Sequence, residues 1–158
     1  LSMNTHYQLD TLDKKIMRFL ITDARTSFLE IARQCKVSGA LIHQRVDKLR
    51  EAGIITGSTF ILSPKGMGYL STAYVGIKVA LASTHTQQEV FEKISQIPEV
   101  VECHHITGQY SLFLKVYAHD NEHLKNILVE NIQSIPEVAS TETFISLQEG
   151  FDRQIPIE

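Results

Sequence analysis

Apolar positions in the first third of the chain recur at helical spacing. Leu12, Ile16, Phe19 and Leu20 stand at i, i+4, i+7 and i+8, one stripe of an amphipathic helix. Asp10 suits its N-cap, and Asp13 places a carboxylate in the first turn. Ser27-Phe28-Leu29-Glu30 has the spacing of a capping box. It predicts a short helix through Cys35 that buries Leu29, Ile31 and Ala32. Ser38 caps a third helix in which Ile42, Val46 and Leu49 form the apolar face, and Gly53 marks its end. The stretch from Ile54 to Leu62 predicts a hairpin turning near Gly57, a wing.

The periodicity then changes. Pro64, Gly66 and Gly68 mark a linker, and Tyr69–Ala82 alternates as a strand. A helix is expected over Thr86–Ile97, strands over Val100–Thr107 and Ser111–Ala118, a helix over Glu122–Ile135 and a last strand over Val138–Leu147. The order βαββαβ is ferredoxin-like. Ile94–Val100 (ISQIPEV) and Ile132–Val138 (IQSIPEV) repeat the same helix stop and strand start, so the unit looks duplicated. The expected class is therefore α+β. A helix-turn-helix domain over 3–62 and a linker over 63–69 precede a ferredoxin-like domain over 70–158.

Alternation also splits each strand into two faces. Ala73, Val75, Ile77, Val79 and Leu81 oppose Tyr74, Gly76, Lys78 and Ala80, while Leu112, Leu114 and Val116 oppose Phe113, Lys115 and Tyr117. Helices of this fold cover one sheet face. The other, bearing Tyr74, Phe113, Tyr117 and Phe144, calls for a second subunit. A homodimer would also pair two copies of the helical module.

Composition adds one point. The 158 residues carry a formal charge of −3, but residues 1–66 hold ten basic against six acidic side chains. That leaves the helical part at +4 and the remainder at −7. A basic module joined to an acidic one admits nucleic acid as partner of the first. Cys35 and Cys103 are too few for a disulfide framework, and the apolar runs are too short to span a bilayer. With Leu1-Ser2 reading as a cloning remnant before Met3, the expected compartment is the cytoplasm, with no membrane partner.

Two short helices joined by Lys36-Val37-Ser38 have the form of a helix-turn-helix whose second helix enters the major groove. Its polar face offers Gly39, Ala40, His43, Gln44, Asp47 and Lys48. Gln44 can pair with adenine and His43 can reach base edges, with Ser38, Gly39 and Ala40 letting the helix N-terminus come close. Lys48 is expected to hold phosphate. Arg45 has two readings, phosphate anchor or a brace to Asp23 or Glu30.

Other chemistry is thin. Cys103 and His105 share a strand face, and His119 and His123 stand four apart, but no third metal ligand is evident. No nucleophile triad, phosphate loop or close carboxylate pair is present, so neither metal nor cofactor is expected. An enzyme on a ferredoxin-like fold is the alternative class.

Taken in order, LDTLD at Leu9–Asp13, DAR at Asp23–Arg25 and Val37-Ser38 resemble the Lrp/AsnC (feast/famine) family of transcription regulators. So do Gln44-Arg45-Val46, GIITG at Gly53–Gly57, Ser63-Pro64-Lys65, TGQYS at Thr107–Ser111 and STET at Ser140–Thr143. The last two look most like its asparagine-responsive, AsnC-like branch. The resemblance implies a DNA operator as partner and dimers that assemble further, often to octamers, with a free amino acid bound between dimers. Carried over, the effector site comprises His105, Gly108, Gln109, Tyr110, Ser111, Gln133, Thr141, Glu142 and Thr143. Such a set suits an amino acid: turn N–H groups for its carboxylate, Glu142 for its ammonium, Gln133 or Gln109 for a side-chain amide. The family also has relatives acting as haem-pathway decarboxylases, so the enzymatic alternative would take a small molecule or a tetrapyrrole. Those relatives usually have Trp, which this chain lacks.

Overall fold

The computed structural model describes residues 7–80 and 84–158. The chain forms two compact units, one running to Ile61 and including Phe151–Glu158, the other spanning Leu62–Gly150. The expected division differs in the tail, which keeps company with the helical unit; there Arg18 Nη2 donates to the Ile157 carbonyl at 3.2 Å.

Three helices, α1 (Thr11–Thr22), α2 (Phe28–Cys35) and α3 (Gly39–Glu51), make the first unit. Asp10 and Asp13 form a complete capping box at α1. The box expected at α2 is half made. Ser27 Oγ accepts the Glu30 N–H, but the Glu30 carboxylate turns to Arg33 and Gln34. Lys36 ends α2 in the left-handed region at φ 57°, which lets the chain reverse at once into α3. Gly53 (φ 73°) closes α3 with the Schellman pair, its own N–H to Arg50 O and the Ile54 N–H to Leu49 O, both 2.9 Å. Ile16, Ile31, Ala32, Ile42 and Val46 form the core.

Two expectations are corrected here. Leu29 is not buried: it is 76% exposed, because α2 is only eight residues long and turns Ile31 and Ala32 inward instead. The wing hairpin is not formed, since residues 56–62 run without strand pairing and leave Phe60, Ile61 and Leu62 exposed. Gly57 does not take the positive φ that a tight two-residue hairpin turn requires.

The second unit is the expected βαββαβ. Its strands β1 (Ser71–Val79), β2 (Val100–His105), β3 (Leu112–Ala118) and β4 (Val138–Ile145) make one antiparallel sheet in the order β2-β3-β1-β4. The expected end of β1 at Leu81–Ala82 lies outside the described residues. α4 (Thr84–Ile94) and α5 (Asn121–Asn126), the latter running on as a π-helical segment over Ile127–Ile132, supply Val90, Ile94, Leu124, Ile127 and Ile132 to the core. These meet Ala73, Val75, Ile77, Leu112, Leu114 and Val116 from the sheet. The repeat is visible as two equivalent stops, with Val100 N–H bonding Ile97 O and Val138 N–H bonding Ile135 O.

The other sheet face carries rings. Tyr74 and Phe113 are stacked at 6.2 Å, and Phe113 lies 6.2 Å from Phe144. Among them Gly76 is required: a Cβ there would stand 2.7 Å from Cγ of Tyr110, whose ring occupies that space.

Candidate nucleic-acid interface and effector site

Helix α3 owes its orientation to one face. Ile42 and Leu49 are fully buried and Val46 nearly so, which leaves Ala40, His43, Gln44, Asp47 and Lys48 exposed on the opposite side. Ser38 caps the helix by accepting the Leu41 N–H at 3.1 Å, and no acidic residue stands in its first turn. The N-terminal end of α3 is thus the unrepelled end of a helix dipole. His43 is held by an edge-on contact with Phe28, ring centroids 4.5 Å apart. Thr26, Phe28, Leu29, Gly39, Ala40 and His43 line a shallow open groove between the starts of α2 and α3.

Arg45 is the brace of its two readings, but with other partners than Asp23 or Glu30. Its Nη1 lies 2.5 Å from Asp10 Oδ2 and 3.1 Å from Asp13 Oδ1, tying α3 to the cap of α1. Asp13 is 1% exposed and also accepts from the Tyr7 hydroxyl and the Asp10 N–H. The Asp13 backbone N–H, then Arg45, hold the Asp10 carboxyl below the usual aspartate range. Those carboxylates in turn hold the Arg45 guanidinium firmly protonated. Spacing hides this bond, because its partners lie 32 and 35 residues away.

The nine residues expected to bind an effector fall into three places. Thr141 and Thr143 stand on the helix-covered side of the edge strand β4, registered with Ile77 and Val75. There Gln133 Nε2 donates to Thr141 Oγ1 at 3.0 Å. Glu142 lies on the open side, registered with Gly76 beneath the Tyr110 ring, and Gln109 Nε2 donates to the Tyr110 hydroxyl at 3.1 Å. Gly108 forms the turn at φ 107°, and Ser111 Oγ lies 3.5 Å from the Val79 N–H. His105 is at the far edge, its ring 5.7 Å from Phe91. One register row runs His105, Leu112, Ile77, Thr141, so His105 is three strands, roughly 14 Å, from Thr141. A single chain does not bring the nine around one small ligand.

The histidine pair is structural. His123 Nδ1 accepts the His119 N–H at 3.0 Å while its Nε2 faces Glu99 at 3.3 Å, and His119 Nδ1 meets the Gly68 carbonyl at 2.9 Å. Burial pushes the Cys103 thiol up, away from nucleophilic use. Among the described residues no group of three or more His, Cys, Asp or Glu could hold a metal. Among them, too, no helix is long and apolar enough to cross a membrane.

Comparison with known proteins joins the two units. The profile of the Lrp/AsnC ligand binding domain matches residues 72–155, and that of a winged helix-turn-helix DNA-binding domain matches 9–56. Regulatory protein AsnC of Haemophilus influenzae is 42% identical over 149 residues, which is 94% of this chain and 98% of that one. The structure of Escherichia coli AsnC superimposes with a TM-score of 0.88 at 40% identity, covering 94% and 99% of the two chains. A feast or famine regulatory protein of Mycobacterium tuberculosis, complexed with L-methionine, gives 0.86 at 25% identity over 96% and 100%. These relatives are regulators, and the enzymatic alternative finds no support among them. A capped recognition helix, a ferredoxin-like sheet and likeness over nearly the whole length agree: the chain belongs to the Lrp/AsnC family and is a DNA-binding transcription regulator.

Proposed function

We propose that this regulator reads a double-stranded operator through α3 and answers to a free amino acid bound where two copies meet. In the operator complex Gln44 and His43 face base edges beside Ala40, Ser38 and Gly39 bring the helix N-terminus to the backbone, and Lys48 holds phosphate. Arg45 acts behind them, fixing the angle of α3 through Asp10 and Asp13. The exposure of Gln44 and Lys48 on the face opposite Ile42, Val46 and Leu49 supports this reading.

The effector reading rests on one observation. The Gln133–Thr141 hydrogen bond is a side-chain donor–acceptor pair at the edge of an otherwise apolar layer, with Thr143 two residues on. It suits the amide and ammonium of an amino acid. His105, the Gly108–Ser111 turn and Glu142 are too dispersed to complete that site within one chain. A neighbouring copy therefore supplies the rest. The ring-bearing face of Tyr74, Phe113 and Phe144 forms the dimer contact, and dimers assemble further, to an octamer. Asparagine is the first candidate effector, and methionine, bound by the M. tuberculosis relative, is the second. Such a regulator works in the cytoplasm, beside its operator.

Thermal unfolding against each of the twenty amino acids at millimolar concentration tests this. A ligand at 100 times its Kd stabilises by about 2.7 kcal/mol, a readily measured shift in Tm. A selective shift that disappears in Thr141→Val supports the site. No shift with any amino acid overturns the effector reading and leaves the DNA reading standing.

A further inference from the structure

Within helices α1 to α3 the most exposed large apolar side chain is Leu29. Leu29 stands in the first turn of α2 and is 76% exposed, although the segment has inward positions that Ile31 and Ala32 fill. It lies over the start of α3: a Cβ on Gly39 would be 3.5 Å from Leu29 Cδ1. Ala40 is exposed beside it, and the Phe28–His43 contact closes the groove. The result is a small apolar step at the end of the recognition helix that goes deepest into the major groove. The apolar group that B-DNA presents in that groove is the thymine C5 methyl. The helical module is cationic as a whole, with Lys36 exposed at the end of α2 and Lys48 exposed along α3, which fits DNA rather than an apolar protein surface.

We propose that Leu29, with Ala40, is a specificity-determining contact that reads a thymine methyl group in the operator. This rests on α3 being the helix that enters the groove. It assigns one thymine to an α2 residue, beyond the bases that Gln44 and His43 meet.

The test uses the full-length protein and a duplex selected by it from a randomised pool. Each thymine of the selected duplex is replaced in turn by deoxyuridine, which pairs identically and lacks the methyl. The expected result is a loss of roughly fourfold in affinity at one thymine per half-site, the worth of one buried methyl-sized group. In Leu29→Ala the same replacement has no effect, and in Leu29→Met the penalty persists. Leu29 is exposed, so both variants fold. A scan with no sensitive thymine overturns the inference and leaves α3 as the reader. So does a sensitive thymine whose penalty is unchanged in Leu29→Ala. If Gln44→Ala binds all selected duplexes with unchanged ranking, the α3 reading fails, and this inference fails with it.

Discussion

The helical unit and the sheet unit are held together by different means. In the sheet unit a continuous apolar layer supplies the stability: Ile77, Leu112, Ile94 and Ile132 are all fully buried, and strand register aligns Ile77 with Leu112. In the helical unit the buried cluster is small, and orientation comes from polar parts. These are the Asp10–Asp13 box, the Ser38 cap, the Gly53 closure and the two ion-paired hydrogen bonds of Arg45. The first kind of structure responds to volume and the second to charge. A regulator gains from this division, because the recognition helix is aimed by groups whose geometry is directional while the sensing domain rests on contacts that are not.

The sharpest way to break this contrast is to exchange the perturbations. Ile77→Ala, at the centre of the sheet, is expected to cost about 3–4 kcal/mol from lost transfer energy and a cavity. Amide hydrogen exchange, read separately over 11–51 and 71–145, should place that loss in the sheet unit. A drop shared equally by both units would end the distinction. Arg45→Met keeps bulk and removes charge, leaving Asp13 buried with Tyr7 and the Asp10 N–H as partners. It should cost about 2–3 kcal/mol, in the helical unit alone, and the double change with Asp13→Asn should recover part of it. Gly76→Ala is the sheet unit's steric test. With Tyr110 Cγ 2.7 Å from the new Cβ, the ring must leave, at about 1–2 kcal/mol. Tyr110→Ala in the same chain should remove most of that cost.

The smallest effect is the pH dependence. Asp10 has its folded pKa lowered, so its contribution is complete above its ordinary value of 3.8 and is lost as pH falls through the folded value. Asp10→Asn keeps the capping oxygen and should lose only about 0.5 kcal/mol near neutrality, since the group is half exposed. Below the folded pKa of Asp10, which lies under its ordinary value, the difference from the parent should vanish. An Asn variant with the same acid limb as the parent would assign that limb to other carboxylates.

Legibility in the sequence obeys the same division. Local signals are reliable here: Asp10, Ser27 and Ser38 cap where their spacing indicates, Gly53 closes α3, and the ISQIPEV and IQSIPEV stops open β2 and β4. Features that depend on a distant partner are not. Spacing offers Arg45 the acids at 23 and 30, whereas its partners are over thirty residues off. The apolar pattern of α2 points Leu29 inward, but eight residues do not define a stripe. Ile54–Leu62 has strand composition, and composition supplies no pairing strand. The candidate effector residues come from likeness to a family, and within one chain they lie on both sides of the sheet.

The π-helical segment Ile127–Ile132 has a consequence in the language of genes. Ile127 and Ile132 are both buried although five residues apart, where an α-helix would bring the fourth residue back to the same face. The segment holds one residue more than a regular helix needs. Losing any single codon from 128 to 131 would restore regular winding and leave the helix end beyond it facing as it does now, with Gln133 still beside Thr141. When this chain is aligned with a relative one residue shorter in α5, the gap belongs inside that turn, and a gap placed in the loop after it would match Gln133 with the wrong residue.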